Sequence, residues 1–468
     1  MTSGLGHGTY RNMSDIDVAV ARVAKETTGY QEAFDVIEVL QQAALDSGGD
    51  STEHGPAALF AGGCVRDWAS GKTPKDLDIA TAMGPDDVVR ALRRALKGCS
   101  TQLVGKHFGV VRVRPERDGQ WYEVATFREE GPYTDHRHPS TVTWTTREKD
   151  AQRRDFTVNG LYFDPVSSRV FDDVGGLEDL STSTLRAIGD PQRRFEEDAL
   201  RLIRAIRFAT RENYSIEPLT LEAMRRHAGL LDTVSPERIR EEFIKIASLG
   251  GDRMARAFVD IVATGLLAVV WKLMHPDGMQ CPDERSISEI GHRLSSMNNL
   301  PEGPLRLSPF IAAWHVDLVT SSDSYSSWKS VIQEAAKRLR FSADEADLMI
   351  ASLHAIWRSR GGSEVDAFRA RRCAAHPQVA WHLSFARACA VPIRDAALVE
   401  AALFEIAKGW RIKPILNGGD LMALGATEGP MLGRLTKWLL AKQFRGDICD
   451  ETSARHAVSE RITRLRMP

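Results

Sequence analysis

The spacing of hydrophobic and polar positions changes character along the chain. Apolar residues recur at helical spacing over residues 19–46, which predicts a helix ahead of the first domain. From residue 57 to about residue 171, short β-rich runs alternate with two helical pieces, a pattern typical of a mixed α/β domain. After Gly175 and Gly176 the pattern is helical to the end of the chain, and strand signals nearly vanish. We therefore expect an α/β head followed by an all-α neck, body and tail.

The individual elements follow from the same periodicities. The predicted strands are 58–60, 78–81, 109–113, 121–127, 141–144 and 161–163. The clearest predicted helices are 65–69, 85–96, 195–211, 219–231, 236–249 and 253–271. The expected domain boundaries are 1–50 for an N-terminal tail and helix, 51–175 for the head, 176–250 for the neck and 251–468 for the body and tail.

Composition narrows the class of protein. Of 468 residues, 43% are hydrophobic and 26% charged, which is ordinary for a folded protein and excludes disordered and fibrous classes. No apolar stretch approaches the roughly 20 residues that a bilayer span needs, so we expect a soluble protein with no membrane partner. Residues 1–18 lack an apolar core and are expected to form a flexible tail rather than a secretory signal.

Charge and cysteine usage add two expectations. The 61 basic and 63 acidic side chains give a formal charge of −2, so any binding of nucleic acid must come from local patches. The six cysteines form no CxxC pair and no zinc-type cluster, which indicates reduced thiols and a cytoplasmic location.

The first chemical signal combines a glycine turn with a pair of aspartates. Gly62 and Gly63 lie between a predicted strand and helix, where backbone N–H groups can approach a triphosphate, and Arg66 follows in the first turn. Asp76 and Asp78 are two residues apart, as in a strand that presents both carboxylates on one side, and such a pair favours a hard cation such as Mg²⁺. Taken singly, these pieces are more often a plain turn and a solvated strand end, because short motifs often match by chance. In this order and spacing they resemble motif A of the polymerase-β-type nucleotidyltransferases, specifically the tRNA nucleotidyltransferase and bacterial poly(A) polymerase family.

Further segments resemble the same family in the family's order. Residues 103–110, 123–128 and 133–139 are similar to its head segments, and residues 153–159 are similar to its motif B. The resemblance implies that Arg154 contacts the nucleotide, that Asp155 accepts a hydrogen bond from the ribose hydroxyl, and that Asn159 belongs to the same nucleotide site. Residues 172–177 resemble the joint between head and neck, and residues 236–243 resemble the motif that braces the base-reading helix.

The segment 197–208 resembles motif D, glutamate-aspartate-x-x-arginine. On a continuous helix, Asp198, Arg201, Arg204 and Arg207 form a row of i,i+3 neighbours. A carboxylate beside a guanidinium matches the donor and acceptor pattern of C and A, so we expect Asp198 and Arg201 to read the base. Arg204 and Arg207 are expected to meet phosphates.

The resemblance implies a specific reaction. A class II tRNA nucleotidyltransferase adds C, C and A to the 3′ end of tRNA from CTP and ATP, with Asp76 and Asp78 holding two Mg²⁺ ions and pyrophosphate released. Glu123, on a strand expected beside them, is a candidate third catalytic carboxylate. Basic residues within 434–445 are a plausible tRNA contact.

Three alternatives stay open. A poly(A) polymerase is disfavoured because residues 106–109 read Lys-His-Phe-Gly where that branch tends to have Arg-Arg-Phe-Arg. An enzyme that adds only CC or only A is compatible with the same motifs. A catalytically silent RNA-binding relative would need no metal site, yet Asp76, Asp78, Arg66 and Asp198 are all in place.

Overall fold

The computed structural model divides the chain into two compact units. The first comprises Met1–Glu242 with Asp260–Val269, and the second comprises Phe243–Val259 with Val270–Pro468. The residues that the structure describes are 13–47, 55–104, 109–117, 119–133, 139–274, 281–295, 325–343, 345–346, 414–427, 429–445, 447–448 and 450–466.

A mixed seven-stranded sheet, ordered β3-β4-β5-β2-β1-β8-β9, forms the centre of the first unit. Neighbouring strands are antiparallel except for the parallel pair β2 and β5. The strands of this sheet are β1 Ala58–Ala61, β2 Asp78–Thr81, β3 Ser100–Val104, β4 Val110–Arg114, β5 Tyr122–Thr126, β8 Leu161–Asp164 and β9 Arg169–Asp172. Two smaller sheets pair β6 Arg128–Glu130 with β7 Val142–Trp144, and β10 Thr184–Leu185 with β11 Ser215–Ile216.

The remaining regular structure is helical. The α-helices among the described residues are α1 Met13–Lys25, α2 Tyr30–Asp46, α3 Gly63–Ala69, α4 Pro85–Ala95, α5 Arg147–Gln152, α6 Gly176–Ser181, α7 Pro191–Glu197, α8 Leu200–Glu212, α9 Pro218–His227, α10 Pro236–Ala247, α11 Gly251–Ala263, α12 Leu267–Met274, α13 Glu284–Ser295, α14 Tyr325–Arg338, α15 Gly418–Ala423, α16 Pro430–Arg445 and α17 Glu451–Arg466. Short 3₁₀ turns cover Thr157–Asn159 and Ala228–Thr233. The expected fold class, an α/β head followed by a helical remainder, is confirmed.

One face of the sheet carries the main core of the first unit. Alternate strand residues pack there against helices α1 to α4. Trp68 is fully buried at its centre, with its ring 5.0 Å from Phe60 and 6.0 Å from Phe163. Its indole N–H donates to Thr27 Oγ1 at 2.9 Å, so α3, which follows the glycine turn, is fixed to the α1–α2 connection.

The amino-terminal expectations need correction. The helix begins at Met13, so residues 13–18 are helical rather than part of a tail, and residues 1–12 lie outside the described part. The single helix expected over 19–46 is two helices that break at Gly29, whose φ of 77° is open to glycine and strained for other residues. Asp17 accepts a hydrogen bond from the amide of Val170 at 2.7 Å, which attaches α1 to the edge strand β9.

In the second unit, α15, α16 and α17 share a small core of their own. Leu421, Leu435, Leu439 and Val458 are buried in it. Asn417 and Asp420 form a reciprocal capping box at the start of α15. No single described helix is long and apolar enough to span a membrane, although the bent pair α11 and α12 passes that test by length and composition.

Candidate active site

A cavity of about 480 Å³ in the first unit brings together three segments that are distant in sequence. Every predicted site residue except Glu123 lies on its wall. The lining residues are Gly62, Gly63, Cys64, Arg66, Asp67, Pro74, Lys75, Asp76, Asp78, Arg153, Arg154, Asp155, Asn159, Asp198, Arg201, Arg204, Arg207, Phe208 and Arg211.

The glycine turn has the form that its sequence predicts. Strand β1 ends at Ala61, Gly62 takes φ 73° and ψ −122°, and α3 begins at Gly63. A Cβ at position 62 would lie 2.8 Å from Nη1 of Arg154. Glycine is therefore needed at this position for its backbone angles and for the close approach of Arg154.

The two aspartates of motif A are both exposed on either side of buried Leu77. Asp78 begins β2, whereas Asp76 lies in the bend just before the strand, so the expectation of a strand through both residues is only half met. Burial raises the pKa of Asp78 and Arg154 lowers it, but the charges of Glu123 and Asp76 also raise it, and the net shift is upward. The protein thus holds carboxylates together at an electrostatic cost.

Glu123 is the lateral neighbour of Asp78 rather than a lining residue of the cavity. The parallel pairing of β2 with β5 places Asp78 opposite Glu123. Within the described ranges, no group of three or more His, Cys, Asp or Glu side chains is arranged to hold a metal ion. The assignment of Glu123 as a third carboxylate stays a prediction.

The motif B arginine, Arg154, forms an ion pair with the buried carboxylate of Asp150. Asp150, 1% exposed, accepts from Nη2 of Arg154 at 3.1 Å and from Nη2 of Arg153 at 2.7 Å. The hydroxyl of Tyr162 also donates to Asp150 at 2.6 Å and accepts from Nε of Arg154 at 3.0 Å. Burial raises the pKa of Asp150, yet the two arginines and the hydrogen bonds lower it to about 2. This carboxylate is ionised and orients both guanidinium groups.

A chain of hydrogen bonds joins all three motifs across the cavity wall. Arg66 donates from Nη1 to Oδ1 of Asn159 at 2.5 Å, and Asn159 donates to Oδ1 of Asp155 at 2.9 Å. Arg204 donates from Nη2 to Oδ2 of Asp155 at 2.5 Å. Burial raises the pKa of Asp155, but Arg204 and Asn159 lower it to about 2. Asp155 is therefore ionised in the folded protein.

Asp198 interrupts the helix that was expected over 195–211. It adopts φ −139° and ψ 101° between α7 and α8, so it does not belong to a continuous row with the arginines. Its Oδ1 accepts from the amide of Leu200 at 3.1 Å, as residues ahead of a helix commonly do, and its Oδ2 accepts from Arg238 at 2.9 Å.

The arginines of α8 are each paired with a carboxylate. Arg201 contacts Glu197 at 2.8 Å, and Arg207 contacts Glu242 at 2.5 Å, in addition to the Arg204–Asp155 pair. Glu197 lies four residues before Arg201, whereas Asp155 and Glu242 come from distant segments, which periodicity cannot reveal. The predicted phosphate contacts of Arg204 and Arg207 stay predictions.

Sequence reasoning missed several lining residues. Arg211 continues the α8 series at i+4 from Arg207, and Asp67 directly follows Arg66, so local spacing was sufficient to find both. Arg211 donates to Oδ2 of Asp67 at 3.1 Å. No local signal marks Lys75 or Phe208. The segment 106–109 distinguishes this chain from the poly(A) polymerase branch, and its residues 106–108 lie outside the described residues, as do residues 134–138 of the segment 133–139.

Comparison with family models gives two matches. Residues 58–186 match the Poly A polymerase head domain, and residues 213–277 match the probable RNA and SrmB-binding site of polymerase A.

Curated relatives include several CCA-adding enzymes. That of Levilactobacillus brevis is 39% identical over 238 residues, which is 51% of this chain and 54% of that enzyme. The match therefore covers about half of the length of the Levilactobacillus brevis enzyme. The CCA-adding enzyme of Limosilactobacillus fermentum is 30% identical over 417 residues, covering 85% of this chain and 91% of that enzyme.

Solved structures agree in fold. The CCA-adding enzyme of Bacillus stearothermophilus in complex with CTP is 24% identical, with a TM-score of 0.68 over 94% of this chain and 99% of the other. The Thermotoga maritima CCA-adding enzyme complexed with tRNA is 20% identical, with a TM-score of 0.62 over 97% of this chain and 99% of the other. With the near full-length similarity to the Limosilactobacillus fermentum enzyme, these findings lead to one conclusion: the chain belongs to the family of CCA-adding enzymes.

Proposed function

We propose that this protein adds C, C and A to the 3′ end of tRNA from CTP and ATP, without a nucleic-acid template and with release of pyrophosphate. One observation carries the proposal: a single cavity places the carboxylates Asp76 and Asp78 beside the glycine turn, the motif B arginine and the Asp198–Arg201 pair. A nucleotidyl transfer to RNA requires groups for the reacting phosphate, the sugar and the base. Each class of group is present on this wall.

The donor set fits a divalent metal ion, which enzymes of this family use. Asp76 and Asp78 place two carboxylates close together, and burial and the charges of Glu123 and Asp76 raise the pKa of Asp78 although Arg154 lowers it. Mg²⁺ is commonly held by one or two carboxylates together with substrate phosphates, so a two-carboxylate site is sufficient. When bound, Mg²⁺ supplies acidification of the attacking 3′-hydroxyl and neutralisation of the triphosphate.

Asp198 and Arg201, the proposed base-reading pair, use part of their hydrogen-bonding capacity within the protein. Arg201 uses Nη1 for Glu197 and the carbonyl of Arg194, and Nη2 for the carbonyl of Arg153. A guanidinium has five N–H donors, so the Nε–H and a second Nη2–H stay available for a base. Asp198 likewise accepts from Leu200 and Arg238 and keeps further lone pairs. The protein bonds fix the two groups in place, and the free donors and acceptors meet the ligand.

This arrangement selects C and A. The Asp198 carboxylate accepts from an exocyclic amino group, and Arg201 donates to the adjacent ring nitrogen or carbonyl. U and G present a carbonyl to the carboxylate and leave the pair unsatisfied, which is an effective basis for rejection. We assign Asp155 to the ribose hydroxyl. Its two carboxylate oxygens each accept two protein hydrogen bonds in the ligand-free protein, so a ribose hydroxyl bonds to Asp155 by replacing one of these donors.

We propose tRNA as the partner because the chain belongs to the family of CCA-adding enzymes. In the second unit Arg434 is exposed on α16, in line with the proposed RNA contact there, while Lys442 on that helix pairs with Asp447 at 2.8 Å. The head, neck and body boundaries of the sequence analysis and a cytoplasmic location are part of the proposal.

A primer extension assay tests the function. Purified protein is incubated with tRNA ending before CCA, tRNA ending in CC, and an unrelated RNA, with CTP, ATP, GTP and UTP supplied singly and in pairs. We expect two C residues and one A on the first tRNA, one A on the second and nothing on the third. A long adenylate tail on any RNA would instead identify a poly(A) polymerase, and arrest after CC or addition of A alone would identify a specialised enzyme. If no nucleotide is incorporated under any of these conditions, the catalytically silent RNA-binding protein is the alternative that stands.

A further inference from the structure

On the face of the sheet that carries Asp78, charged side chains extend across three neighbouring strands to Arg112 on β4. Asp78 on β2 lies opposite Glu123 on β5, and Glu123 lies opposite Arg112 on β4. Cross-strand partners share one face, so these side chains form a row away from the helical core, in which Val111 and Val113 are buried. With strands about 4.8 Å apart, the backbone of Arg112 lies about 10 Å from that of Asp78.

Arg112, Arg114 and Trp121 form a cluster on this face. Arg114 lies two residues along β4 from Arg112 and points the same way. The two guanidinium carbons are 5.2 and 5.1 Å from the centroid of the Trp121 ring. All three side chains are partly exposed.

The two arginines of this cluster differ from those of the cavity in their partners. Among the described residues, neither Arg112 nor Arg114 forms an ion pair with a carboxylate, and Nε of Arg114 is buried without a hydrogen-bond partner. The cavity arginines differ in this respect, since Arg201 and Arg204 each contact a carboxylate. Glu123 lies opposite Arg112 in the strand register but forms no ion pair with it. Two neighbouring arginines that contact an aromatic ring match the chemistry of single-stranded RNA, which offers phosphates and flat bases.

The cluster lies on the side of Asp78 away from the cavity. The cavity wall consists of residues up to 78 and from 153 onward, and includes none from β3, β4 or β5. In a nucleotidyl transfer the attacking and leaving oxygens are roughly in line across the reacting phosphorus. If the triphosphate occupies the cavity, the attacking 3′ end approaches the carboxylates from the opposite side, across β5 and β4.

We propose that Arg112, Arg114 and Trp121 bind the unpaired 3′ end of the RNA acceptor. Trp121 stacks on a base, and the two arginines contact the flanking phosphates. This inference rests on the proposed function, because it assigns the second substrate of that reaction. It places the acceptor on the strand face beside the carboxylates and leaves the nucleotide site unchanged.

Binding of two RNAs to three variants tests the assignment. The probes are a tRNA ending before CCA and the same tRNA shortened by its last unpaired nucleotide, with Kd measured by fluorescence anisotropy in the absence of nucleotide. Trp121→Ala is expected to raise Kd for the first RNA at least about fivefold, the lower range for loss of one stacked base. Trp121→Phe should restore most of the affinity, and the shortened RNA should show little effect of either change.

The arginines are tested separately. Arg112→Gln with Arg114→Gln should reduce the salt dependence of log K by about 1.4, the value for two phosphate contacts on a single strand. The matched control removes two charges elsewhere, Arg94→Gln with Lys97→Gln, both exposed at the end of α4, and should leave the slope nearly unchanged. In turnover, KM for tRNA should rise in the cluster variants while KM for CTP stays constant.

Equal Kd values for wild type, the Trp121 variants and the double arginine variant would overturn the assignment, as would a loss of thermal stability without any change in Kd or in KM for tRNA. The binding measurements do not depend on turnover. If wild-type protein binds the tRNA but incorporates no nucleotide, the proposed function fails, and the Kd comparison still decides whether the cluster binds RNA.

Discussion

Among single residues, Asp78 shows most directly that the site is built for a ligand rather than for stability. Asp78 is exposed as a residue, yet the surrounding protein partly desolvates its carboxylate. This desolvation and the charges of Glu123 and Asp76 raise its pKa, although Arg154 opposes the shift. In the ligand-free protein this charge is unfavourable. Function and stability therefore place opposite demands on the residue.

The first prediction follows from that conflict. Asp78→Asn should lower kcat at least about a hundredfold, since metal-assisted charge stabilisation supplies several kcal/mol. The same change should leave the free energy of unfolding equal or higher, because it relieves repulsion. Steady-state kinetics and thermal unfolding check both parts. Asp46→Asn, at an exposed position on α2, is the control and should change neither, and an active Asp78→Asn protein would refute the metal assignment.

A second prediction concerns Gly62. Gly62→Ala forces a side chain into φ 73° and ψ −122° and places its Cβ 2.8 Å from the Arg154 guanidinium. We expect a loss of about 1–3 kcal/mol in stability together with a large loss of activity, because Arg154 is displaced. Gly98→Ala is the matched control: its φ is 86°, but nothing lies within 4 Å of the added Cβ. It should lose stability and keep activity, and equal activities of the two variants would contradict this account of Arg154.

The third prediction concerns base selection. Asp198→Ala removes the acceptor for the exocyclic amino group, so the preference for CTP over UTP and for ATP over GTP should fall by at least tenfold in kcat/KM, the cost of one unpaired polar group. Glu196→Ala, a neighbouring exposed carboxylate that does not line the cavity, should keep the preference. If Asp198→Ala keeps the wild-type preference for CTP over UTP and for ATP over GTP, the assignment of Asp198 to base recognition is wrong.

At the scale of elements, the break between α7 and α8 shows where sequence reasoning fails. Residues 195–211 contain no glycine or proline and keep helical spacing, so periodicity predicts one helix. The break at Asp198 is stabilised by its bonds to the amide of Leu200 and to Arg238, forty residues away. A tertiary partner overrides local propensity here. The capping preference of aspartate was the one local sign.

Among the strands, those with a clear local pattern were predicted and an exposed edge strand was not. Strands β1, β2 and β8 are buried and were predicted within a residue or so, because their apolar runs and flanking breakers are local features. Strand β3 was missed, since Gln102, Leu103 and Val104 are exposed at the edge of the sheet and follow no simple alternation. The Gly62 turn and the aspartate pair were predictable because short motifs fix them. The partners of the arginines were not, because they depend on the tertiary fold.

A fourth prediction belongs to the network that joins α5, the 3₁₀ turn and α8. The pKa of Asp155 is about 2 in the folded protein, below the roughly 3.9 of an unfolded chain. The ionised group therefore stabilises the fold above about pH 4, and this contribution is lost as the pH falls toward 2.

The measurement is the free energy of unfolding from pH 6 to pH 2.5. Asp155→Asn should flatten the decline of stability below pH 4 relative to wild type, whereas Asp46→Asn should follow the wild-type curve. A decline as steep in Asp155→Asn as in wild type would show that this carboxylate does not carry the acid sensitivity.

At the scale of the whole molecule, a net charge of −2 does not reveal how the charged side chains are paired locally. In the cavity, Arg201, Arg204 and Arg207 each form an ion pair with a carboxylate, whereas among the described residues Arg112 and Arg114 form none. The candidate site lies entirely in the first unit. Similarity to the CCA-adding enzyme of Limosilactobacillus fermentum extends over 85% of the chain and so includes parts of both units.

The central claim is that this protein alone specifies the sequence CCA. The most direct measurement is the intact mass of a tRNA lacking CCA after incubation with the protein, CTP and ATP, with no other nucleic acid present. The account predicts a single product heavier by two cytidylates and one adenylate, and no further growth with time. An unchanged mass, or a ladder of adenylates of increasing length, would contradict it.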